Sequence, residues 1–531
     1  MAKSKNKDLK TLTYQEQILQ LNLEKELKEK DKGELQKYFL GLFFYKFLSD
    51  KLVSVINDEL KEDKVTYQKA WNNPDFHDDL VDHLREHLGY IIEPIYLWSS
   101  IIELIKKDEF DNEYLAKAKN AFNDSVLGQE SQSTFENIFS MMELTSPILG
   151  QTEKDRSKFV SFLISKINDL DINEKDLGNA FEFAYNHYSL LAGKDKAGDF
   201  YTAASISKLI AKIVTWDYST NKKIGRIKSI YDASCGSSSL LLHVKDEVNN
   251  ITNFYGQDNK ISAVNFSKMN LFIHGIDYKH IDIYCQDVLD YPYHKHLKEE
   301  FDIIVSDFQF SQTWSGENTH IKDDRFSGYP KFAPKGTADF AFIQHMISLL
   351  SDSGKMIVHC PHGVLFRGDS EGEIRRYLIK DKNYIETVIS LPSKIVTKKS
   401  PSTCLVVISK CKVTSDILFI YANEEFTQEK PINIMSDSNI NKIFDAYKGR
   451  ANIKGFSSVI NISSNDDDET TITNQDFNLN LTRYVDIFKE ADPIDIDKVL
   501  DDIELLEVER QKLDHEIKEY LKELGVGKYG K

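Results

Sequence analysis

Small residues follow an apolar strand at the most informative point of the chain. The segment Tyr231-Asp-Ala-Ser-Cys-Gly-Ser-Ser-Ser-Leu-Leu-Leu242 comes directly after the apolar run Ile227–Ile230. A strand, a turn of small residues with a glycine, and an apolar helix form the layout of a nucleotide-binding βα turn. Small residues let a ligand approach the backbone, and the helix N-terminus offers free N–H groups. Taken alone, the pattern also describes an ordinary tight turn in an α/β protein.

A second apolar strand ends in a carboxylate and an aromatic residue. The segment Phe301-Asp-Ile-Ile-Val-Ser-Asp-Phe-Gln-Phe310 has the pattern of a buried strand and ends in the carboxylate Asp307 and the aromatic Phe310. A carboxylate accepts hydrogen bonds, and an aromatic ring offers a stacking surface.

These two segments resemble the modification subunits of type I restriction-modification systems, which are amino-N6-adenine DNA methyltransferases. The first is similar to the loop that binds S-adenosylmethionine (AdoMet) in that family, and the second falls where the family has its catalytic Asn/Asp-Pro-Pro-Phe/Tyr. The resemblance extends from about Gly33 to the C-terminus. Four further segments match in the family's order: Gly256-Gln-Asp258, Lys268-Met-Asn-Leu-Phe-Ile-His-Gly-Ile-Asp277, Pro361-His-Gly-Val-Leu-Phe-Arg-Gly368 and Arg483-Tyr-Val-Asp486.

The resemblance implies an AdoMet site and a catalytic pair. Asp258 would bind the ribose hydroxyls of AdoMet, Asp287 its adenine amine, and the Phe-Tyr-Thr segment its methionine end. Asp307 would accept a hydrogen bond from the target amine, and Phe310 would stack on the target base. Read without the family, Asp258 and Asp287 are also compatible with solvated loop acids. The implied cofactor residues are Phe200, Tyr201, Thr202, Asp232, Cys235, Gly236, Ser237, Ser238, Asp258 and Asp287.

The chain departs from the family pattern in the loops that contact ligands. Ser238 stands where the family has glycine, so a Cβ is predicted to clash with AdoMet or to force a different φ. Phe308-Gln309 replaces Pro-Pro, which stiffens the catalytic loop in the family. Ala233 and Ala203 replace prolines, and the segment Leu391–Thr403 lacks the family's aromatic residue and glycine.

Two functions therefore stay open, and a third is less compatible with the sequence. The first is an AdoMet-dependent adenine-N6 DNA methyltransferase subunit. The second is a catalytically inactive, methyltransferase-like scaffold of a DNA-targeting defence complex. Another Rossmann-like nucleotide binder would not explain why so many segments match the family in order.

Composition and charge limit the partners and the compartment. The chain has 531 residues, 41% of them hydrophobic and 28% charged, which is typical of two or three globular domains. It has no long apolar run for a membrane span and no secretory signal, and its five cysteines follow no metal-binding spacing. We therefore expect a cytoplasmic protein without a metal site.

The net charge of −17 is unusual for a protein that binds DNA without a partner subunit. Such a charge also serves solubility. In the family that the chain resembles, a separate specificity subunit reads the DNA, a second modification subunit joins it, and restriction subunits can be added. We therefore expect double-stranded DNA to be contacted through a complex.

The order of elements predicts an α/β fold: a Rossmann-like AdoMet-dependent methyltransferase sheet with an N-terminal α-helical domain and C-terminal helices. Helical spacing dominates residues 1–190, and short apolar strands alternate with helices in residues 191–490. The predicted strands are Ile227–Ile230, Asn253–Gly256, Ile281–Tyr284, Asp302–Val305, Lys355–Cys360, Tyr384–Ser390, Cys404–Ser409 and Ile417–Ile420.

The last segment, residues 491–531, is predicted to be a helix for subunit assembly. Ile503, Leu506, Leu513, Ile517 and Tyr520 recur at a spacing of three and four residues, with Arg510 in one apolar position. A coiled-coil-like helix that binds a partner is our preferred interpretation. A helix packed on its own domain gives the same spacing.

Overall fold

The computed structural model describes residues 12–21, 23, 34–61, 65–191, 203–217, 219–248, 250–395, 401–429, 432–464, 470–488 and 496–525. The chain divides into two compact units, Met1–Val485 and Asp486–Lys531. Among the described helices, none is both long and apolar enough to cross a bilayer.

Helices dominate the described residues up to Leu191. The long helix α2 begins this region's core, and its side chains at Leu35, Phe39, Leu48 and Leu52 are buried. Helices of the first unit are α1 Tyr14–Gln20, α2 Leu35–Glu59, α3 Tyr67–Trp71, α4 Pro74–Leu88, α5 Trp98–Lys106, α6 Asn112–Val126, α7 Gln132–Phe135, α8 Glu153–Asn168, α9 Leu177–Leu191, α10 Ala204–Val214, α11 Ser239–Glu247, α12 Ile261–Ile273, α13 Tyr293–His296, α14 Glu317–His320, α15 Asp324–Ser327, α16 Asp339–Leu349, α17 Asp369–Arg376 and α18 Asp437–Gly449.

The strands confirm the predicted alternation of β and α. All eight strands that the sequence predicts are present, with ends that differ by a few residues. The strands are β1 Trp216–Asp217, β2 Lys222–Lys223, β3 Ile227–Asp232, β4 Ile251–Asp258, β5 Ile281–Cys285, β6 Phe301–Ser306, β7 Leu350–Pro361, β8 Ile385–Ser390, β9 Thr403–Ser409, β10 Asp416–Tyr421, β11 Thr427–Glu429, β12 Ile432–Ile434 and β13 Ser457–Asn461.

Nine of the described strands form one mostly parallel sheet, in the order β13-β10-β8-β9-β7-β6-β3-β4-β5. Strands β5, β4, β3, β6 and β7 run parallel to one another. Strand β9 lies antiparallel between β7 and β8. The loops that follow β3, β4, β5 and β6 therefore meet at one edge, the usual ligand-binding edge of an open α/β sheet.

Apolar side chains alternate between the two faces of this sheet. Ile303 and Val305 belong to a core that includes the N-terminal helices, α10, α11, α12 and α18. Ile304, between them, faces a second core that includes α16 and α17. This period of two and the cover on both faces explain why the strands read as continuous apolar runs.

The N-terminal helices share the first core with the sheet and supply side chains next to the ligand-binding edge. The division at about residue 190 into a helical and a methyltransferase-like domain stays a prediction. In the second unit, α19 spans Ile496–Glu523, close to the predicted helix, and none of its residues is buried.

Candidate active site

The loop between β3 and α11 is a tight turn of small, buried residues. Gly236 and Ser238 both have positive φ angles, +52° and +60°. The side chain of Asn270 on α12 donates from Nδ2 to the carbonyl oxygen of Ser237 at 2.9 Å. Ser239 donates its hydroxyl hydrogen to Glu182 on α9. Helices on either side of the loop therefore hold its backbone in place.

Ser238 is accommodated by the protein. Its side chain has no exposed surface, and its hydroxyl is hydrogen-bonded to the hydroxyl of Ser267 on α12. The side chain therefore points into the protein core. The steric clash with a cofactor that the sequence predicts thus loses its basis, although the left-handed backbone that favours glycine is present.

Asp258, at the end of β4, fastens the loop to the neighbouring strand. Its carboxylate accepts the N–H of Gly236 at 3.1 Å and the N–H of Lys260 at 2.9 Å. Burial raises the pKa of Asp258. Gly256 permits this approach, because a Cβ there would lie 2.9 Å from the Cβ of Cys235. Burial also raises the pKa of the Cys235 thiol well above its usual range, so this sulfur stays protonated.

Asp287 lies in the loop after β5, exposed at the same edge. Its Oδ1 accepts the N–H of Leu289 at 2.9 Å. Two buried side chains hold this loop by hydrogen bonds to its backbone. Gln257 donates to the carbonyl oxygens of Gln286 and Tyr291 at 3.2 and 2.7 Å, and Arg325 donates to that of Val288 at 3.0 Å.

Asp307, the first residue after β6, is bonded to a histidine on the adjacent strand. Its Oδ1 lies 2.7 Å from Nδ1 of His359 on β7. The other ring nitrogen of His359, Nε2, lies 2.7 Å from the hydroxyl oxygen of Thr403 on β9. The His359 side chain is 1% exposed and that of Asp307 is 16% exposed. One carboxylate oxygen is thus held from within the protein while part of the group remains accessible.

The residues that replace the family's two prolines have different surroundings. Phe308 is buried, and its ring stacks on Phe342 at a centroid distance of 4.7 Å and an angle of 5°. Gln309 is exposed. Phe310 packs edge-on against Phe308 at 6.2 Å and against the ring of His359 at 5.2 Å. An apolar anchor in the core therefore holds this loop in the absence of proline rings.

The backbone beyond Phe310 is fixed by an ion pair whose carboxylate is buried. Ser311 donates its N–H to Oδ1 of Asp339 at 2.7 Å, and the other oxygen of Asp339 accepts from Arg367 at 2.9 Å. Arg367 belongs to the Pro361–Gly368 segment that matches the family. Through Arg367 and Asp339, this segment thus supports the backbone that follows the loop Asp307–Phe310.

Three carboxylates lie at the ends of adjacent strands. Ser306 donates to Oδ1 of Asp232 at 2.9 Å, which joins the end of β6 to the end of β3. Burial first, and then the charges of Asp307 and Asp258, raise the pKa of Asp232 to about 7. This edge therefore favours a ligand that carries positive charge.

The structure brings most of the predicted site residues together at one edge of the sheet. These are Asp232, Cys235, Gly236, Ser237, Ser238, Asp258, Asp287, Asp307 and Phe310. Phe200, Tyr201 and Thr202 lie outside the described residues. The roles assigned to all of these residues stay predictions.

Sequence reasoning missed the side chains that hold these groups in position. Asn270 and Gln257 lie inside segments that match the family, so those matches contained a usable signal. His359 sits in an apolar strand pattern and Phe308 was seen only as a missing proline. The sequence around His359 and Phe308 therefore did not predict that either side chain contacts the site.

The chain is similar to known proteins in its sequence and in its fold. A methylase subunit of the type I restriction enzyme MpnII from Mycoplasma pneumoniae is 27% identical over 522 residues, which cover 93% of each chain. The crystal structure of a type I restriction-modification system methyltransferase subunit from Streptococcus thermophilus covers 90% of this chain and 100% of its own. It has a TM-score of 0.79 and 29% identity.

A third match comes from a structural study of complex assembly and conformational transition of the type I R-M system. It covers 97% of this chain and 98% of its own, with a TM-score of 0.60 and 19% identity, which shows a shared fold. The model of the N-6 DNA Methylase family matches residues 172–493. Since this match spans more than half of the chain, the protein belongs to the N-6 DNA methylase family.

Proposed function

We propose that this chain is the modification subunit of a type I restriction-modification system and methylates adenine N6 in DNA. The observation that carries the proposal is Asp307 at the end of β6, beside the small-residue loop after β3. The similarity to a type I methylase subunit along nearly the whole chain supports it. A cytoplasmic location, where DNA and AdoMet are both present, belongs to the proposal.

The carboxylate edge fits AdoMet, which carries a sulfonium and an ammonium group. Asp258 accepts the N–H groups of Gly236 and Lys260 and interacts with that of Asn259, and a carboxylate has capacity for about four hydrogen bonds. Asp258 therefore retains an acceptor for a ribose hydroxyl. Asp287 is exposed beside it and would accept from the adenine amine of AdoMet.

When bound, AdoMet supplies a methyl group that its sulfonium sulfur makes electrophilic. The remaining work of the protein is to hold the target amine. Asp307 would accept one N6–H of an adenine that has been flipped out of the duplex, which directs the nitrogen lone pair towards the methyl group. The ring of Phe310 would stack on the base. Once the amine is methylated, its extra proton would leave to an acceptor or to water.

The alternative of an inactive scaffold loses part of its basis in the structure. It rested on all the departures in the ligand-contacting loops, above all on Ser238 and on Phe308-Gln309. Ser238 is directed into the protein core, and Phe308 anchors the catalytic loop on Phe342. Neither substitution removes the accessible part of Asp307.

The exposed face of α19 supports a partner protein. Its large apolar residues include Ile503, Leu506, Leu513 and Tyr520, which are between 48% and 64% exposed. A row of exposed apolar side chains on a helix is typical of a docking surface. We propose that it binds helices of a specificity subunit, which would deliver the DNA. The complete complex would also contain a second modification subunit and, in a full system, a restriction subunit.

Replacing Asp307 by alanine should abolish methylation by the reconstituted complex. The substitution removes the side-chain acceptor for the target amine, so we expect kcat to fall by about 100-fold or more. Phe310→Ala should weaken retention of the flipped base by about 1–3 kcal/mol. Transfer of a labelled methyl group from AdoMet to DNA measures both.

Gln309→Ala is the matched control, because Gln309 is exposed in the same loop. It should keep activity within about three-fold of the unsubstituted complex. Full activity of Asp307→Ala would contradict the role proposed for this carboxylate.

Replacing Ser238 by glycine should leave AdoMet affinity nearly unchanged. The Ser238 side chain points to Ser267, so its removal frees no space for the cofactor. Calorimetry should give a Kd within about three-fold of the original value, with Asp258→Ala weakening binding by about ten-fold or more as the sensitive comparison. A clear gain in affinity for Ser238→Gly would restore the clash that the sequence predicts.

Introducing charges into the apolar row of α19 should prevent assembly with the specificity subunit. We expect the double variant Leu506→Glu, Leu513→Glu to lose co-purification with the specificity subunit, because a charge buried at an interface without a partner is costly. Truncation after Ile496 removes the apolar row and should have the same result. Gln511→Glu adds a charge beside the row and should leave the yield unchanged. Full co-purification of the double variant would show that the partner binds elsewhere.

A further inference from the structure

The contacts around Asp307 centre on one buried side chain. His359 hydrogen-bonds Asp307 through Nδ1 at 2.7 Å and Thr403 through Nε2 at 2.7 Å. The edge of the same ring meets Phe310 at a centroid distance of 5.2 Å and an angle of 78°. Both residues assigned to the target adenine are therefore in contact with this single histidine.

We propose that His359 is a positioning residue that holds Asp307 and Phe310 in the geometry needed for methyl transfer, an inference that rests on the proposed function. In this chain it takes over part of the stiffening that two prolines supply in the motif that the loop resembles. Nothing about the strand pattern of β7 requires a histidine, since its neighbours Val358 and Cys360 are apolar and fully buried.

The hydrogen bonds fix the direction in which His359 acts. A carboxylate only accepts, so the Nδ1–H of His359 donates to Oδ1 of Asp307. In the neutral imidazole, Nε2 then accepts the hydroxyl hydrogen of Thr403. Thr403 is the last residue of the Leu391–Thr403 segment. It lies opposite Pro361 in the β7–β9 ladder, two residues beyond His359 on the same face.

This arrangement leaves one oxygen of Asp307 for the substrate. Among the described residues, Oδ2 of Asp307 has no hydrogen-bond partner, and the side chain is 16% exposed. With Oδ1 held by His359, rotation of the carboxylate about χ2 is restricted. The remaining oxygen therefore presents its lone pair in one direction before a base arrives, which is the preorganisation that amine positioning needs.

The test compares variants that separate the hydrogen bond from the ring. His359→Asn keeps a donor at about the place of Nδ1, whereas His359→Phe keeps the ring and removes the donor. In the reconstituted complex we expect His359→Phe to lower kcat about 10- to 100-fold and His359→Asn to recover most of that loss. The Kd for AdoMet should stay the same in both variants, since His359 contacts none of the cofactor loop residues described above.

Two substitutions of Thr403 that change its size little provide a second comparison. Thr403→Val removes the hydroxyl and should lower kcat, whereas Thr403→Ser keeps it and should not. Because Thr403 acts through His359, Thr403→Val should have no further effect on kcat when added to His359→Phe. A residue that served stability alone would lower the melting temperature in all these variants without this pattern in kcat.

Three outcomes are distinguishable. The expected pattern, with rescue by asparagine and non-additivity with Thr403, supports the positioning role. An active original complex in which His359→Phe keeps its kcat would overturn that role and leave the proposed function standing. An original complex that methylates no DNA would overturn the proposed function and the positioning role together.

Discussion

Asp232, Asp258 and Asp307 lie at the ends of three neighbouring strands, and their mutual repulsion is the constraint on which the site depends. Parallel strands bring their carboxyl ends to one edge, so the fold forces these side chains together. Each is held by donors: Ser306 for Asp232, backbone N–H groups for Asp258, and His359 for Asp307. Even so, burial and the neighbouring charges raise the pKa of Asp232 to about 7. A cationic ligand would relieve this cost, which supports the proposal that AdoMet binds at this edge.

The rest of the first unit serves to keep these groups in position. Helices α9 and α12 hold the loop after β3 through Glu182 and Asn270. Gln257 and Arg325 hold the loop after β5, and Asp339 with Arg367 holds the backbone beyond the catalytic loop. The net charge of −17 supports the proposal that another subunit supplies most of the contacts to DNA phosphates.

The sequence predicted the strands well, because each is a short apolar run bounded by polar or small residues. Among the nine strands of the large sheet it missed β13, since Ser457-Ser-Val-Ile-Asn461 has only two apolar residues and pairs with β10 at the edge. In the site, the carboxylates and Gly236 were predicted because their motifs resemble those of a known family, and their roles stay predictions. Their supports were not predicted, because His359 and Thr403 are 44 residues apart and meet only through the register of β7 with β9. Ser238 shows the opposite limit: its residue type predicts a clash with the cofactor, whereas its side chain is directed towards Ser267 in the core, which argues against that clash.

Proton exchange on AdoMet binding tests the role of the carboxylate edge most directly. Below pH 7 the folded protein keeps Asp232 largely protonated, and a bound cation favours its ionised form. Calorimetric titrations at pH 6.5, in buffers of different ionisation enthalpy, should therefore show release of a fraction of one proton per AdoMet bound. The release should vanish in Asp232→Asn. Binding of AdoMet without proton release, or with the same release in Asp232→Asn, would contradict the account.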